Sequence, residues 1–259
     1  METAQSHLAF FRLAVEPFAP TADPACFFAT QTHQACLRQV WAAIEGQHGA
    51  ALVLGNIGAG KTMILRKLAA GILAAGPSHR LAVVGAPLAA WTTADLLAHI
   101  LAQFKIDAAF DNPAAMTEAL VAHLVKNREQ NNTLIVDDAQ NINKRGQLEL
   151  LRVLLNLELP QRKLLNLVFF AQPDWTQVLD AAPEFSHRIA TVCWIKPLNA
   201  EEIQSLVRFR LERAGVDTGR GPQFQEDAYR EILEASNGAP RTIIHLCRNA
   251  LQIAAEQRT

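Results

Sequence analysis

An α/β fold built on a parallel sheet, followed by a small all-α C-terminal part, is what this 259-residue sequence predicts. Three observations predict it. Between Ala50 and Ile195, short apolar runs alternate with stretches of helical periodicity, the pattern of a parallel sheet covered by helices on both faces. After Pro197 the periodicity is helical throughout. Third, the run Gly55-Asn56-Ile57-Gly58-Ala59-Gly60-Lys61-Thr62 fits G-x-x-x-x-G-K-[ST] and lies between a strand-like run and a helix-like one.

The elements follow in order. The segment to about Glu45 carries Phe10-Phe11, Pro17-Phe18, Pro20, Asp23-Pro24 and Phe27-Phe28. Its prolines resist regular structure, so an irregular arm is expected, then a helix from about Thr32 to Ile44. Ala50-Ala51-Leu52-Val53-Leu54 is apolar throughout, as a strand buried on both faces must be. Further strands are expected near 81–85, 133–137, 166–171 and 191–195, which makes a five-stranded sheet in a three-layer core. Helices are expected from Met63 through Ala69, and over Ala94–Phe104, Ala114–Lys126 and Gln147–Leu157. Asn199-Ala200-Glu201-Glu202 reads as an N-cap with acidic first-turn residues, opening a helix to about Ala214. The glycine-rich stretch Asp217–Pro222 separates it from helices at Glu226–Ala235 and Arg241–Glu256. There is no internal repeat and no low-complexity tract. The expected division is 1–45 for the arm and first helix, 46–196 for the α/β core, and 197–259 for a helical lid.

Composition narrows the class. Half the residues are hydrophobic and 19% are charged, enough for a packed core and too apolar for disorder. A net charge of −1 supplies no global attraction to nucleic acid or anionic lipid. Double-stranded DNA, if a partner, has to be gripped by a local patch or by many subunits together. Cys26, Cys36, Cys193 and Cys247 form no C-x-x-C pair and read as buried thiols in a reducing cytoplasm. The start Met1-Glu2-Thr3-Ala4-Gln5 is not a secretion signal, and no stretch approaches the roughly 20 apolar residues of a membrane helix. His33, His187 and His245 lack metal-ligand spacing. Trp41, Trp91, Trp175 and Trp194 are read as core or interface residues.

The glycine-lysine run carries the chemistry. Its glycines let backbone N–H groups curl round a β-phosphate, and the helix behind offers its positive N-terminal end to the anion. Lys61 is expected to bridge the β- and γ-phosphates, and the Thr62 hydroxyl to take one Mg²⁺ position. Residues Gly55 to Met63 as a whole are expected to hold ATP. A second run, Thr133-Leu134-Ile135-Val136-Asp137-Asp138-Ala139-Gln140, ends a buried strand in two acids. One reading gives Asp137 to the Mg²⁺ shell and Asp138 to the attacking water as general base; the other is a pair of solvent-facing acids at a strand edge. A third polar strand end is Ala171-Gln172. If its strand lies between the first strand and the Asp137 strand, Gln172 stands beside the γ-phosphate; otherwise it is an ordinary loop residue.

With these residues in view, the sequence resembles the AAA+ ATPases, particularly those like general secretion pathway protein A. The resemblance runs over nearly the whole chain. It is carried by the Phe10-Phe11 to Asp23-Pro24 arm, Asp137-Asp138-Ala139-Gln140-Asn141, Leu154-Leu155-Asn156-Leu157-Glu158, Ala171-Gln172-Pro173, and the tail Ser236-Asn237-Gly238-Ala239-Pro240-Arg241-Thr242-Ile243-Ile244. The resemblance implies that Gln172 is the first sensor and that Arg241 is the second, reaching from the lid to the γ-phosphate. It implies that Arg188 enters a neighbouring subunit's site as an arginine finger, with Arg145 and Arg152 as rivals and a surface salt bridge as the plainer role. The family usually has glutamate where this chain has Asp138, which implies slow turnover; the replication initiator DnaA also carries two aspartates there. Secretion members continue into a membrane helix and a peptidoglycan-binding domain, whereas this sequence ends at Thr259, so a stand-alone cytoplasmic ATPase is expected.

The expectation is therefore an oligomeric ATP-dependent switch with Mg²⁺ and ATP, as a homo-oligomer meeting a protein partner in a secretion or pilus system. A transposition helper on double-stranded DNA, like the related TniB, MuB and TnsC proteins, is the alternative. Lys144-Arg145 and Arg162-Lys163, with Lys105 and Lys126, are its candidate phosphate contacts. A nucleotide-binding scaffold with negligible turnover is a third reading.

Overall fold

In this computed structural model, which describes residues 3–21, 23–107, 112–215 and 221–257, the strands are β1 (Ala50–Leu54), β2 (His79–Val84), β3 (Asn131–Val136), β4 (Glu158–Leu159), β5 (Arg162–Lys163), β6 (Asn166–Ala171) and β7 (Ile189–Trp194). Five of them pair in parallel in the order β2-β3-β6-β1-β7, while β4 and β5 form a small antiparallel hairpin. The order has a sequence cause. Every residue of β1 and β6 is buried, as central strands covered on both faces require. β7, at the edge, instead alternates, with Cys193 buried and Val192 and Trp194 exposed.

The helices are α1 (Thr3–Phe10), α2 (Gln31–Glu45), α3 (Lys61–Ala74), α4 (Thr93–Gln103), α5 (Pro113–Lys126), α6 (Arg145–Leu155), α7 (Trp175–Asp180), α8 (Pro183–Ser186), α9 (Ala200–Arg213), α10 (Glu226–Ser236) and α11 (Pro240–Gln257). The expected three-layer α/β core with a five-stranded parallel sheet, followed by helices alone, is what the chain forms.

The chain clusters into two compact units. The larger comprises Thr32–Gly55 and Ile64–Ile195. Its core joins Leu52, Leu134, Val136, Leu167 and Phe169 of the sheet to Leu96, Ile100, Leu151 and Leu154 of α4 and α6. Phe169, Trp175 and Phe185 form an aromatic knot with centroids 5.4 to 6.4 Å apart. Starts of helices are fixed locally: Thr92 and Asp95 make a capping box on α4, and Asn112 with Pro113 opens α5.

The smaller unit comprises Met1–Gln31, Asn56–Met63 and Lys196–Thr259. Its core gathers Ile203, Leu206, Val207 and Leu211 of α9 with Ile243, Cys247 and Leu251 of α11, and adds Leu13 and Phe18 from the arm. Asn199, expected as an N-cap, forms a capping box with Glu202. Between α10 and α11 the backbone turns left-handed at Asn237 (φ 47°) and Gly238 (φ 70°). The Gly238 carbonyl accepts from the Leu198 N–H at 2.9 Å, and a Cβ at Gly238 would meet the Leu198 oxygen at 2.3 Å. Only glycine fits there.

The structure departs from the sequence expectations in three places. The arm is not irregular from its start: Thr3–Phe10 is the helix α1, which packs against α11. The prolines that argued for irregularity begin only at Pro17, so nothing in the first ten residues opposes a helix. The 157–165 region also holds the β4–β5 hairpin, whose two-residue strands are too short to leave a periodic signal. Of the thiols expected to be buried, Cys36, Cys193 and Cys247 are, but Cys26 is half-exposed. Most of the predicted Asp217–Pro222 linker lies outside the described residues.

Candidate nucleotide site

β1 delivers the chain to Gly55, whose N–H donates to the Ala171 carbonyl at 3.2 Å and so extends the pairing with β6 by one residue. The loop then turns through Gly58 (φ 78°) and Gly60 (φ 97°), conformations that a side chain disfavours. Ala59 N–H donates to Asn56 O at 3.1 Å and closes the turn, and α3 begins at Lys61. Lys61 is buried, with its Nζ donating to Asn56 O at 3.2 Å. The ammonium is thus folded over its own loop. Ile57, at the loop's tip, is exposed, and Thr62 and Met63 are half-buried at the start of α3.

Arg241 belongs to the same compact unit as residues 56–63. Its N–H donates to Gly58 O at 3.3 Å, and its Cβ would lie 3.0 Å from a Cβ built at Gly58. Gly58 therefore serves two constraints, a left-handed backbone and the close approach of α11. The Arg241 residue itself is exposed.

At the far end of β3 the Asp137 N–H donates to Val84 O at 3.0 Å, continuing the β2–β3 pairing. Asp138 then adopts a left-handed conformation (φ 49°, ψ 42°) before a 3-10 turn at Ala139–Asn141. Aspartate tolerates that region better than most side chains. The Asp138 N–H donates to Asp137 Oδ1 at 3.1 Å. Both acids are half-buried, so the paired carboxylates are neither core residues nor fully solvated ones. Gln172 follows β6, which lies between β1 and β3. The condition attached to that residue in the sequence reading is met.

Gln140 carries no role that the sequence alone assigns. Its Nε2 donates to Asp138 Oδ1 at 3.1 Å and its Oε1 accepts from the Gln172 N–H at 3.2 Å. The only forewarning was an amide two residues after the acids; the contact depends on β6 lying beside β3, which sequence spacing alone does not state.

The three finger candidates are differently placed. Arg188, between α8 and β7, is exposed; it helps Lys163 hold the Glu158 carboxyl below the usual carboxylate range. Arg152 is held by Glu149, its Nε 2.9 Å from Oε2, and this guanidinium pulls the Glu149 pKa down. Arg145, exposed at the start of α6, lines a groove of about 880 Å³ together with Arg152, Glu149 and Phe185. None of the phosphate-loop residues lines this groove. Among the basic residues considered for DNA, Lys144 Nζ donates to the carbonyls of Ala90 (3.0 Å) and Trp91 (2.8 Å). Arg162 donates to Gln130 O at 3.3 Å, and Lys163 is ion-paired with Glu158.

The donors present suit the groups they are expected to hold. A loop with backbone N–H groups at a helix N-terminus, next to a lysine, matches polyphosphate. A threonine hydroxyl and an aspartate carboxylate are the hard oxygen donors that Mg²⁺ prefers. Fold and loop together define a P-loop ATPase of the AAA+ class.

The comparisons say the same. A family model described as AAA domain matches residues 28–179, more than half the chain. The chain belongs to that family, whose members bind and hydrolyse ATP. General secretion pathway protein A of Aeromonas hydrophila is 31% identical over 257 residues, covering 96% of this chain and 45% of that protein. This chain thus spans less than half the length of that relative. Among solved structures, Cdc6p from Pyrobaculum aerophilum matches with a TM-score of 0.70 at 18% identity, over 95% of this chain and 68% of that one. Domain III of the Thermotoga maritima replication initiation protein DnaA matches with a TM-score of 0.58 at 16% identity, over 93% of this chain and 92% of that one. At such identities the likeness concerns the fold. Among the described residues, no helix is long and apolar enough to cross a membrane.

Proposed function

We propose that this chain is a slow Mg-ATP hydrolase that acts as an ATP-dependent switch within a homo-oligomer, serving a protein partner in a secretion or pilus system. The observation that carries the hydrolase reading is the strand order β3-β6-β1, which supports a common task for Asp137 and Asp138, Gln172 and Gly55 at three neighbouring strand ends. In this reading residues 55–63 wrap the phosphates, Lys61 leaves the Asn56 carbonyl to contact the β- and γ-phosphates, and Thr62 and Asp137 hold Mg²⁺. Bound Mg²⁺ neutralises charge on the phosphates. Asp138 accepts the proton of the attacking water, Gln172 orients that water, and Arg241 senses the γ-phosphate. Asp138, one methylene shorter than glutamate, accounts for slow turnover. Arg188 is favoured as the finger supplied to a neighbouring copy by the family resemblance, and its rival Arg152 is already engaged by Glu149. The proposed division is arm 1–45, core 46–196, lid 197–259.

The partner assignment rests on the likeness to general secretion pathway protein A. It is supported by three of the six basic residues considered for DNA, since Lys144, Arg162 and Lys163 already have intramolecular partners. The test is phosphate release from ATP, with and without double-stranded DNA, alongside the assembly state by light scattering. Turnover that is lost in Lys61→Ala and Asp137→Ala, and that ignores DNA, supports the secretion reading. Turnover stimulated by DNA together with ATP-dependent filaments on it would replace that reading with the transposition-helper one. A protein that binds ATP but never releases phosphate would be a scaffold.

A further inference from the structure

The side chain of Gln140 joins two strand ends that carry different proposed tasks. Gln140 lies in the 3-10 turn Ala139–Asn141, half-buried. That turn is itself fastened from outside, because the Trp175 Nε1–H donates to Ile142 O at 2.9 Å, and Trp175 is 1% exposed in the aromatic knot. The orientation of the Gln140 amide is dictated by its partners. The Gln172 backbone N–H can only donate, so it must face Oε1 (3.2 Å). The Asp138 carboxylate, when ionised, can only accept, so it must face Nε2 (3.1 Å). Both contacts are satisfied in one orientation and neither in the flipped one.

Geometry then limits what Asp138 can do. Its backbone is held left-handed, its N–H is tied to Asp137 Oδ1, and its own Oδ1 is occupied by the Gln140 amide. A short carboxylate with one oxygen tied presents the other, Oδ2, in a fixed direction. We propose that Gln140 is a positioning residue for ATP hydrolysis: it aims the Asp138 carboxylate and couples that aim to the β6 end that carries Gln172. This inference rests on the ATPase reading above. Displacement of the Gln172 backbone would pull on Oε1 and be felt at Asp138 through one rigid planar group, so occupancy near Gln172 and the readiness of the base are linked.

Two substitutions separate the arms of this link. Gln140→Glu is nearly isosteric and keeps an acceptor for the Gln172 N–H, but it replaces the donor to Asp138 with a second carboxylate, which repels it. Gln140→Ala removes both arms. The expected result is a kcat lowered by about 10- to 100-fold in each, the range of a misplaced general base, with KM for ATP and the dissociation constant for ADP within about twofold of the parent. The melting temperature of Gln140→Glu should stay within a few degrees, since the fold keeps the same side-chain volume. Lys61→Ala is run beside them. If parent turnover survives Lys61→Ala, the ATPase reading itself falls, and this proposal with it. If Lys61→Ala abolishes turnover while Gln140→Glu keeps the parental kcat, only the role of Gln140 falls. A loss of kcat accompanied by an equal loss of ADP affinity would also overturn it, because a merely structural residue behaves that way.

Discussion

Under the proposed roles Lys61 serves binding and Asp138 serves chemistry, and their variants should fail differently. Lys61 Nζ is 3.2 Å from Asn56 O and buried, so it stands over the loop proposed to wrap the phosphates. Lys61→Ala should weaken ATP binding and abolish turnover together. Asp138→Asn keeps the shape and a hydrogen-bonding oxygen but removes the base, and should lower kcat by about 10²- to 10⁴-fold with nucleotide affinity retained. Fluorescent-nucleotide titration beside phosphate release tells the two apart, and equal loss of affinity in both would argue that Asp138 is no base. Much of this site was legible in the sequence, because Lys61, Thr62 and Asp137 lie on runs whose residue types are tied to their neighbours in the chain. Gln140 was not legible: its contacts reach the Gln172 backbone 32 residues away, and no local pattern encodes that. Arg188 illustrates the opposite limit. The family resemblance, not its sequence neighbours, implied a finger at this position, and Arg188 is exposed.

At the scale of elements, the turn between α10 and α11 is tightly constrained. Gly238 is left-handed and meets Leu198 so closely that a Cβ would lie 2.3 Å from its carbonyl oxygen. Gly238→Ala must break the Leu198–Gly238 hydrogen bond or shift the start of α11. The expected cost is roughly 1–3 kcal/mol, seen as a melting transition several degrees lower. An unchanged transition would mean that the joint relaxes freely. The strands were legible within about two residues because central parallel strands are continuously apolar. Capped helices were legible for a similar reason, as Asn199 and Glu202 show. What escaped were the elements with weak local signals. β4 and β5 are two residues each, and α1 has no acidic residue in its first turn to announce it.

At the scale of the whole molecule, the first and last parts of the chain share one core. Leu13 and Phe18 are buried with α9 and α11, and Phe18 is 1% exposed. Ala14 N–H donates to Ala214 O at 2.9 Å, and Phe28 packs on Phe209 at 5.7 Å. Arg210, buried and with its proton affinity lowered by that burial, donates to Pro17 O at 3.5 Å. Glu16 draws in both His7 and Arg248, at 2.9 and 3.7 Å. The arm thus contributes Leu13 and Phe18 to the helical unit's hydrophobic interior. Phe18→Ala should cost about 3–5 kcal/mol, the usual range for an emptied aromatic core site, and the loss should be local. Hydrogen exchange read peptide by peptide should show α9 and α11 losing protection, while β1, β3 and β6, whose core contains no arm residue, keep theirs. If protection falls equally in the sheet, the two cores unfold as one cooperative body. If α9 and α11 stay protected, the arm lies on the helical unit without supporting it, and the buried Arg210 must find its compensation among the helices alone.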